Sequence, residues 1–287
     1  TPFLSRCLQD LAAYKPPPRD PALVFPLSRS AAVLVALFVG RSGDIYVMLS
    51  RRAETLRTFP GDTSLPGGRY EPGDKNLEDT ARREAFEEIG LPRDRHRIPL
   101  LCTLEPFPTG NHLLVTPIVV LILDPDIRPI LNEPEVSALF SHPLRSFLSR
   151  TAPFDRSPLD PSDALKREYY SYRDIPWGQS LVRMHRFLTG REELGVKPVY
   201  GLTATICLHV ASIGYARPPE FPMYAPSEKR LSERVAHILR NESVFIRAVE
   251  QERKDAGGRL RTRSDSQYNS DDGAKGPRSG FRTGSKL

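Results

Sequence analysis

A loop of closely spaced glycines that runs straight into an acidic helix constrains the fold of this chain more than any other feature. The loop spans residues 65–74, and the sequence predicts a helix over Glu78–Ile89. Asn76 can cap the start of this helix, with Asp79 three residues on, and Gly90 stands where a left-handed residue ends a helix. Such a loop is compact enough to present the helix to a ligand bound beside it.

The predicted helix carries three carboxylates on one face, because Glu84, Glu87 and Glu88 stand at i, i+3 and i+4. Unpaired, such a cluster is destabilising, whereas a hard divalent cation turns it into an oxygen-ligand site suited to magnesium or manganese. The alternative is a solvated acidic face neutralised by Arg82 and Arg83. Arg83 can also brace the helix through ion pairs while the glutamates hold metal.

Apolar runs on both sides of this segment predict strands. The run Ala31–Val39 indicates a buried strand, residues 41–44 a turn, and Ile45–Leu49 the returning strand of a hairpin. Further strands are predicted at Leu100–Leu104 and at Val115–Leu123, which is rich in β-branched residues.

Helices are predicted at both ends of the chain. A short one is expected around Phe3–Tyr14, another at Val199–Ile213, and an amphipathic one from Glu228 to about Glu252. The apolar side of this amphipathic helix is formed by Leu231, Val235, Ile238, Phe245 and Val249. From Lys254 onward the chain has almost no large apolar residue and is predicted to be disordered.

The net charge of the chain limits the classes of binding partner that are expected. The net charge of +6 suits a polyanion, but a phosphorylated small molecule satisfies it as well as nucleic acid does, and no nucleic acid is expected. The longest apolar run, residues 31–39, is about half of what a spanning helix requires, so no membrane span is expected. Four parts are predicted: a proline-rich segment (1–29), a globular domain (30–225), a helical extension (226–253) and a basic tail (254–287).

The segment Gly68–Leu91 resembles the catalytic box of the Nudix hydrolases. That pattern reads Gly-x5-Glu-x7-Arg-Glu-apolar-x-Glu-Glu-x-Gly-apolar, and this chain ends it with Arg83-Glu84-Ala85-Phe86-Glu87-Glu88-Ile89-Gly90-Leu91. It departs by having Asp74 in place of the first Glu and eight spacer residues rather than seven. Both departures resemble the Nudix enzymes that hydrolyse coenzyme A. The upstream segment with Leu49-Ser50-Arg51-Arg52, Leu56-Arg57 and Pro60-Gly61 is similar to a motif of the same subgroup.

The resemblance implies an α/β fold, a Nudix α/β/α sandwich on a mixed sheet, followed by a helical extension and a disordered tail. It implies cleavage of coenzyme A or its thioesters into 3′,5′-ADP and a phosphopantetheine product. Glu84 and Glu88 would ligate Mg²⁺ or Mn²⁺ most directly, and Glu87 would add a ligand or bind a second ion. Residues 145–198 align poorly and suggest an insertion over the substrate.

Other residues take roles through the same resemblance. Arg51, Arg52 and Arg57, together with Gly67 and Gly68, would contact the substrate phosphates. The alternative for the arginines is an ordinary surface position at a strand end.

The general base stays open between a box glutamate and an acid from a distant loop. Glu133 and Glu135 are the outside candidates, against the alternative that they begin a helix before Leu139-Phe140. His112 lies in a predicted loop and can titrate near the site, although a solvated loop histidine is the simpler interpretation.

The chain ends in Ser285-Lys286-Leu287, the peroxisomal import tripeptide. The expected partners are thus a small coenzyme A substrate and the peroxisomal import receptor, and the expected location is the peroxisome. A tail that binds anionic surfaces is the alternative, although Asp271-Asp272 weaken it.

Two rival functions remain. One is a Nudix hydrolase for NADH, ADP-ribose or capped RNA, which would not need the upstream arginines. The other is a catalytically silent ligand-binding or regulatory module, whose usual signature is loss of the box acids. All three box glutamates are present here.

Overall fold

The computed structural model describes residues 2–154, 168–178 and 180–268 and contains a mixed eight-stranded sheet. Its strands are β1 (Ser30–Val39), β2 (Ile45–Arg52), β3 (Thr63–Ser64), β4 (Gly67–Arg69), β5 (Leu100–Thr103), β6 (Phe107–Pro108), β7 (Leu114–Leu121) and β8 (Val136–Pro143). Strands β1 and β7 pair in parallel, and the other pairs are antiparallel. The predicted hairpin is β1–β2, with Leu37 opposite Val47.

Helices cover both faces of this sheet. They are α1 (Pro2–Ala13), α2 (Leu77–Ile89) and α3 (Gly201–Gly214). Along β1, Ala32, Leu34 and Ala36 pack against α2, whereas Val35 and Leu37 belong to the core that α1 and α3 close. Because both faces are buried, β1 is continuously apolar rather than alternating. The predicted α/β/α sandwich on a mixed sheet is confirmed.

Residues 170–200, most of which belong to the segment that aligns poorly with the family (145–198), contain a second, three-stranded antiparallel sheet. It comprises β9 (Tyr170–Trp177), β10 (Ser180–Phe187) and β11 (Val199–Tyr200). Strand β10 packs on α3 and β11 lies against β3. The helix predicted from Val199 therefore begins two residues later, after β11. Short 3-10 turns occupy Leu27–Arg29, Leu144–Leu148 and Glu192–Leu194.

The single helix predicted from Glu228 to Glu252 is wrong, since the region forms α4 (Leu231–Asn241) and α5 (Ser243–Tyr268). The chain breaks at Glu242, whose backbone is extended at φ −85° and ψ 121°. Four residues of the predicted apolar stripe pack into one cluster with Leu114 of β7, namely Leu231, Val235, Ile238 and Phe245, whereas Val249 is not part of it.

The last helix reaches further than predicted. It continues through Lys254 to Tyr268, with the Gln251 side chain donating to Asp255 over one turn at 2.9 Å. The remaining tail, including Ser285-Lys286-Leu287, lies outside the described residues, so its disorder stays a prediction. Within the described part of the chain, no helix is long and apolar enough to cross a membrane.

Candidate active site

Local signals position α2 as predicted. The Asn76 side chain accepts the N–H of Asp79 at 2.9 Å, and Gly90 ends the helix at φ 64° while its N–H bonds back to Phe86. The first turn carries Glu78 and Asp79, whose negative charges interact favourably with the positive end of the helix dipole. Sequence-local chemistry therefore fixes where α2 starts and ends.

The two glycines of β4 allow α2 to approach the sheet. A Cβ at Gly68 would collide with the Glu84 carboxylate, and one at Gly67 would collide with the backbone of Ala32 and Val33. The N–H of Gly67 also donates to Glu88 Oε2 at 3.2 Å. A side chain at Gly68 would displace the Glu84 carboxylate, and a side chain at Gly67 would push β4 away from β1.

A buried ion pair joins the loop to the helix. Asp74 Oδ1 accepts from Arg83 Nε at 2.9 Å and Oδ2 accepts from Nη2 at 3.1 Å, which makes the pair bidentate. Thr80 Oγ1 and the N–H of Glu71 also donate to this carboxylate, at 2.8 and 3.0 Å. Burial alone would raise the pKa of Asp74, but these hydrogen bonds outweigh it and lower the pKa to about 2. Asp74, the predicted departure from the box pattern, thus anchors the loop.

Arg83 also contacts the acidic face. Its Nη1 lies 3.0 Å from Glu84 Oε1 and 3.3 Å from Glu87 Oε2, and Nη2 donates to the carbonyl of Arg69 at 3.0 Å. Glu87 is half exposed and faces Arg83, with Arg93 Nη2 at 4.0 Å. The bracing role expected for Arg83 is present in the structure.

Glu88 is the most buried of the three glutamates. It is 8% exposed, and its pKa is raised to about 8, first by burial and then by the charge of Glu84. The N–H of Gly67 and the charge of Arg52 oppose that rise. The pKa of Glu84 is also raised, by burial first, with Arg83 opposing. These two carboxylates lie close enough to repel one another where water cannot screen them.

The chemistry of this pair fits a hard divalent cation. Two adjacent carboxylates in a partly dry site are stabilised when a cation supplies the missing positive charge. In the described residues, no three His, Cys, Asp or Glu side chains converge as a formed metal site. Glu84 and Glu88 are the pair that would hold an ion, and the predicted three-glutamate ligand set stays a prediction.

The upstream arginines take different positions. Arg51 Nη2 donates to Glu54 at 2.7 Å, and Arg52 Nη2 donates to the carbonyl of Thr58 at 3.3 Å. Their Nε atoms are buried and have no partner in the described part of the chain. Arg57 is exposed in the loop after them. The charge of Arg52 lowers the pKa of Glu88.

The loop that carries Glu133 and Glu135 lies against the C-terminal end of α2, which contains Glu88. The N–H of Asn132 donates to the backbone carbonyl of Glu88 at 3.0 Å, and the charge of Glu135 contributes to the raised pKa of Glu88. The alternative that these acids begin a helix is wrong, because strand β8 starts at Val136. Ala53 donates to the Glu135 carbonyl at 2.8 Å, which ties the loop to the end of β2.

Three further residues near the upstream segment were missed by sequence reasoning. Lys197 Nζ donates to Asp62 Oδ1 at 2.8 Å and to the carbonyl of Pro60 at 2.7 Å, and the Tyr200 hydroxyl donates to the same carboxylate. The N–H of Arg52 donates to the Asp62 carbonyl at 2.9 Å. The second sheet therefore holds the segment that carries Arg52. The segments around Pro60 and Tyr200 carry the sequence signal. They are more than a hundred residues apart, so the sequence does not predict that they meet.

His112 has a different partner. Its Nδ1 lies 3.0 Å from Glu242 Oε2, and its backbone is left-handed at φ 58°. It joins the β6–β7 turn to the break between α4 and α5, so its described contact is structural.

Comparison with known proteins places these features in a family. A family model described as the NUDIX domain matches residues 28–162. The mitochondrial Nudix hydrolase 15 of Arabidopsis thaliana is 36% identical over 70% of this chain and 64% of its own length. A peroxisomal coenzyme A diphosphatase of Mus musculus is 32% identical over 68% of this chain and 74% of its own length.

A peroxisomal coenzyme A diphosphatase of Saccharomyces cerevisiae is 32% identical over 51% of each chain. The chain thus spans between half and two thirds of the length of the plant and yeast relatives. The mouse relative is matched over 74% of its length, and the residues matched by the family model include the loop, α2 and the strands that hold them. This chain belongs to the Nudix hydrolase family.

Proposed function

We propose that this protein hydrolyses the pyrophosphate linkage of coenzyme A and its derivatives, with Mg²⁺ or Mn²⁺, to 3′,5′-ADP and 4′-phosphopantetheine or its acyl form. The observation that carries the proposal is the pair of carboxylates set against Gly67 and Gly68, with Glu84 partly buried, Glu88 buried, and the charge of Arg52 lowering the pKa of Glu88. Two relatives named as coenzyme A diphosphatases support the choice of substrate.

A cation held by Glu84 and Glu88, together with the positive charge of Arg52, would suit a pyrophosphate. A bound divalent cation would offset the charge that develops on the phosphate oxygens and help orient water. Arg52 provides a forked cation beside the carboxylates, and its buried Nε is free to donate. Arg51 and Arg57 lie on the same segment, where they would bind further phosphate oxygens, and Glu87 would add a ligand after release from Arg83.

Glu135 is the chain's own candidate for the base. In hydrolysis the water oxygen bonds to phosphorus, the bond from phosphorus to the bridging oxygen breaks, and the water proton passes to a carboxylate. The bridging oxygen leaves on the second product. Glu135 is a carboxylate from outside the box whose charge is felt at Glu88, and it would accept that proton.

Product analysis tests the proposal. Purified protein with Mg²⁺ or Mn²⁺ is incubated separately with coenzyme A, NADH and ADP-ribose, and the products are resolved by chromatography. We expect adenosine 3′,5′-bisphosphate from coenzyme A at the highest kcat/KM of the panel. Arg57→Gln is expected to raise KM for coenzyme A by about tenfold, through loss of a charged hydrogen bond, and to leave KM for NADH unchanged. Rapid cleavage of ADP-ribose without release of the bisphosphate from coenzyme A would sink the proposal.

We also propose a peroxisomal location. Two relatives are named peroxisomal, whereas the two plant relatives are named mitochondrial and chloroplastic. The predicted import signal Ser285-Lys286-Leu287 supports the first location. A fluorescent protein fused ahead of residue 1 should mark peroxisomes and disperse when the last three residues are deleted. Unchanged fluorescence after the deletion would argue against this signal.

A further inference from the structure

An open cavity of about 620 Å³ lies between the turn Leu27–Arg29, strand β4 and helix α5. Its lining includes three arginines, one from each element, namely Arg29, Arg69 and Arg247. Cavities of this size hold nucleotide-sized ligands. Helix α5 lies beyond the residues that match the family model, so this cavity is not built by the family domain alone.

One face of α5 forms a wall of the cavity. Val244, Arg247, Ala248 and Gln251 all line it, and their spacing of i, i+3, i+4 and i+7 places them on a single helical face. Val244 and Ala248 are small, which leaves room above the helix. Gln251 adds an amide group, one N–H of which donates to Asp255, and Ser28 adds a hydroxyl from the opposite wall.

Ion pairs within the described residues do not neutralise the positive charge in this cavity. In the described residues, none of the three arginines forms an ion pair. Arg247 donates to Ser243, through Nε to its carbonyl at 3.1 Å and through Nη2 to its hydroxyl at 3.2 Å, and both acceptors are neutral. Arg69 is engaged through its backbone carbonyl, which accepts from Arg83.

The same corner of the molecule already holds one anionic group from its own chain. The Glu252 carboxylate accepts the N–H of Ser28 at 2.8 Å and the N–H of Leu27 at 3.2 Å. These amides therefore satisfy Glu252, and its oxygens are directed at the turn. Since no carboxylate of the described residues pairs with them, the three guanidinium groups remain for an anion from outside this part of the chain.

We propose that this cavity binds a phosphate monoester. Guanidinium groups match phosphate oxygens with paired donors, and a dianion balances more of three positive charges than a carboxylate does. The cavity is separate from the carboxylate pair, because neighbouring residues of a strand face opposite sides and Gly68 faces Glu84. Binding here does not depend on the proposed hydrolysis.

Calorimetry on the full chain tests the site. The protein is titrated with inorganic phosphate, with adenosine 3′,5′-bisphosphate and with adenosine, in the presence of a chelator so that no metal recruits phosphate to the box. We expect the bisphosphate to bind once per chain and adenosine not to bind. Arg29→Gln and Arg247→Gln should each weaken binding by at least about tenfold, the value of one charged hydrogen bond.

Arg253→Gln is the matched control, because Arg253 is exposed on the same helix and does not line the cavity. It should bind like the unsubstituted protein, and thermal melts should show that all three variants fold. Binding of inorganic phosphate with the same losses would identify a free phosphate site, and binding of the bisphosphate alone a nucleotide phosphate site. Absence of binding by both probes, equal losses in Arg253→Gln, or no loss in Arg29→Gln and Arg247→Gln would overturn the proposal.

Discussion

Glu88→Gln is expected to lower kcat for coenzyme A hydrolysis by about three orders of magnitude, a typical loss when a central ionised group of a catalytic site is removed. Glutamine has nearly the same shape and can still accept the N–H of Gly67 through its amide oxygen. It cannot supply the negative charge that, with Glu84, would attract a cation. The measurement is steady-state kinetics with saturating Mg²⁺.

Stability separates this role from a structural one. The pKa of Glu88 is raised from 4.5 to about 8, so the fold favours the protonated form and loses stability as pH rises from 4.5 to about 8, with no further loss above that. Without metal, Glu88→Gln should therefore unfold at the same temperature as the unsubstituted protein or higher. Glu250→Gln, on an exposed helix position, is the activity control. Full activity in Glu88→Gln would mean that Glu88 is not part of the active site. A lower unfolding temperature would indicate a structural role.

Arg83→Gln is expected to lower the free energy of unfolding by about 3–5 kcal/mol, the usual cost of breaking a buried ion pair. The side chains of Arg83 and Asp74 are 12% and 5% exposed, and the substitution leaves the Asp74 carboxylate buried without its bidentate partner. Urea titration at neutral pH measures the change. Arg95→Gln should cost only about 0–1 kcal/mol, because Arg95 is half exposed where it pairs with Glu78 and Asp79.

The pH dependence follows from Asp74. Its folded pKa of about 2 is below its ordinary 3.8, so the pair contributes its full stability above pH 3.8 and loses it as pH falls through about 2. The difference between Arg83→Gln and the unsubstituted protein should shrink over that window. Adding Asp74→Asn to Arg83→Gln should recover part of the loss, since the uncompensated charge is gone. A pH-independent difference would mean that Arg83 acts through packing instead.

Local patterns predicted the elements that build the site. The cap at Asn76, the end at Gly90 and the spacing of the three glutamates depend on residues within one or two helical turns, and the structure reproduces the caps. The apolar run of β1 likewise predicted a buried strand. The helix break at Glu242 escaped prediction because the apolar periodicity continues across it, and residues on both sides of the break pack against Leu114 of β7.

Contacts between distant segments could not be read in this way. Lys197 and Tyr200 meet Asp62 across more than a hundred residues, and Glu135 comes to Glu88 through a loop whose length alone gives no direction. Arg51, Arg52 and Arg57 look equivalent in sequence, yet Arg51 and Arg52 are partly buried and each has a buried Nε, whereas Arg57 is exposed. Burial and distance set these differences, and neither is a property of a single segment.

The sequence by itself determined that a glycine loop leads into a capped acidic helix, because these features depend on neighbouring residues. Its family resemblance extended that to the sandwich fold. Only the tertiary structure decided that Gly68 faces Glu84, that Arg83 pairs with Asp74, and that Glu88 is buried where it accepts the N–H of Gly67. Those relations arise when β4 and α2 pack together, since desolvation and Coulomb interactions act across the chain through space rather than along it.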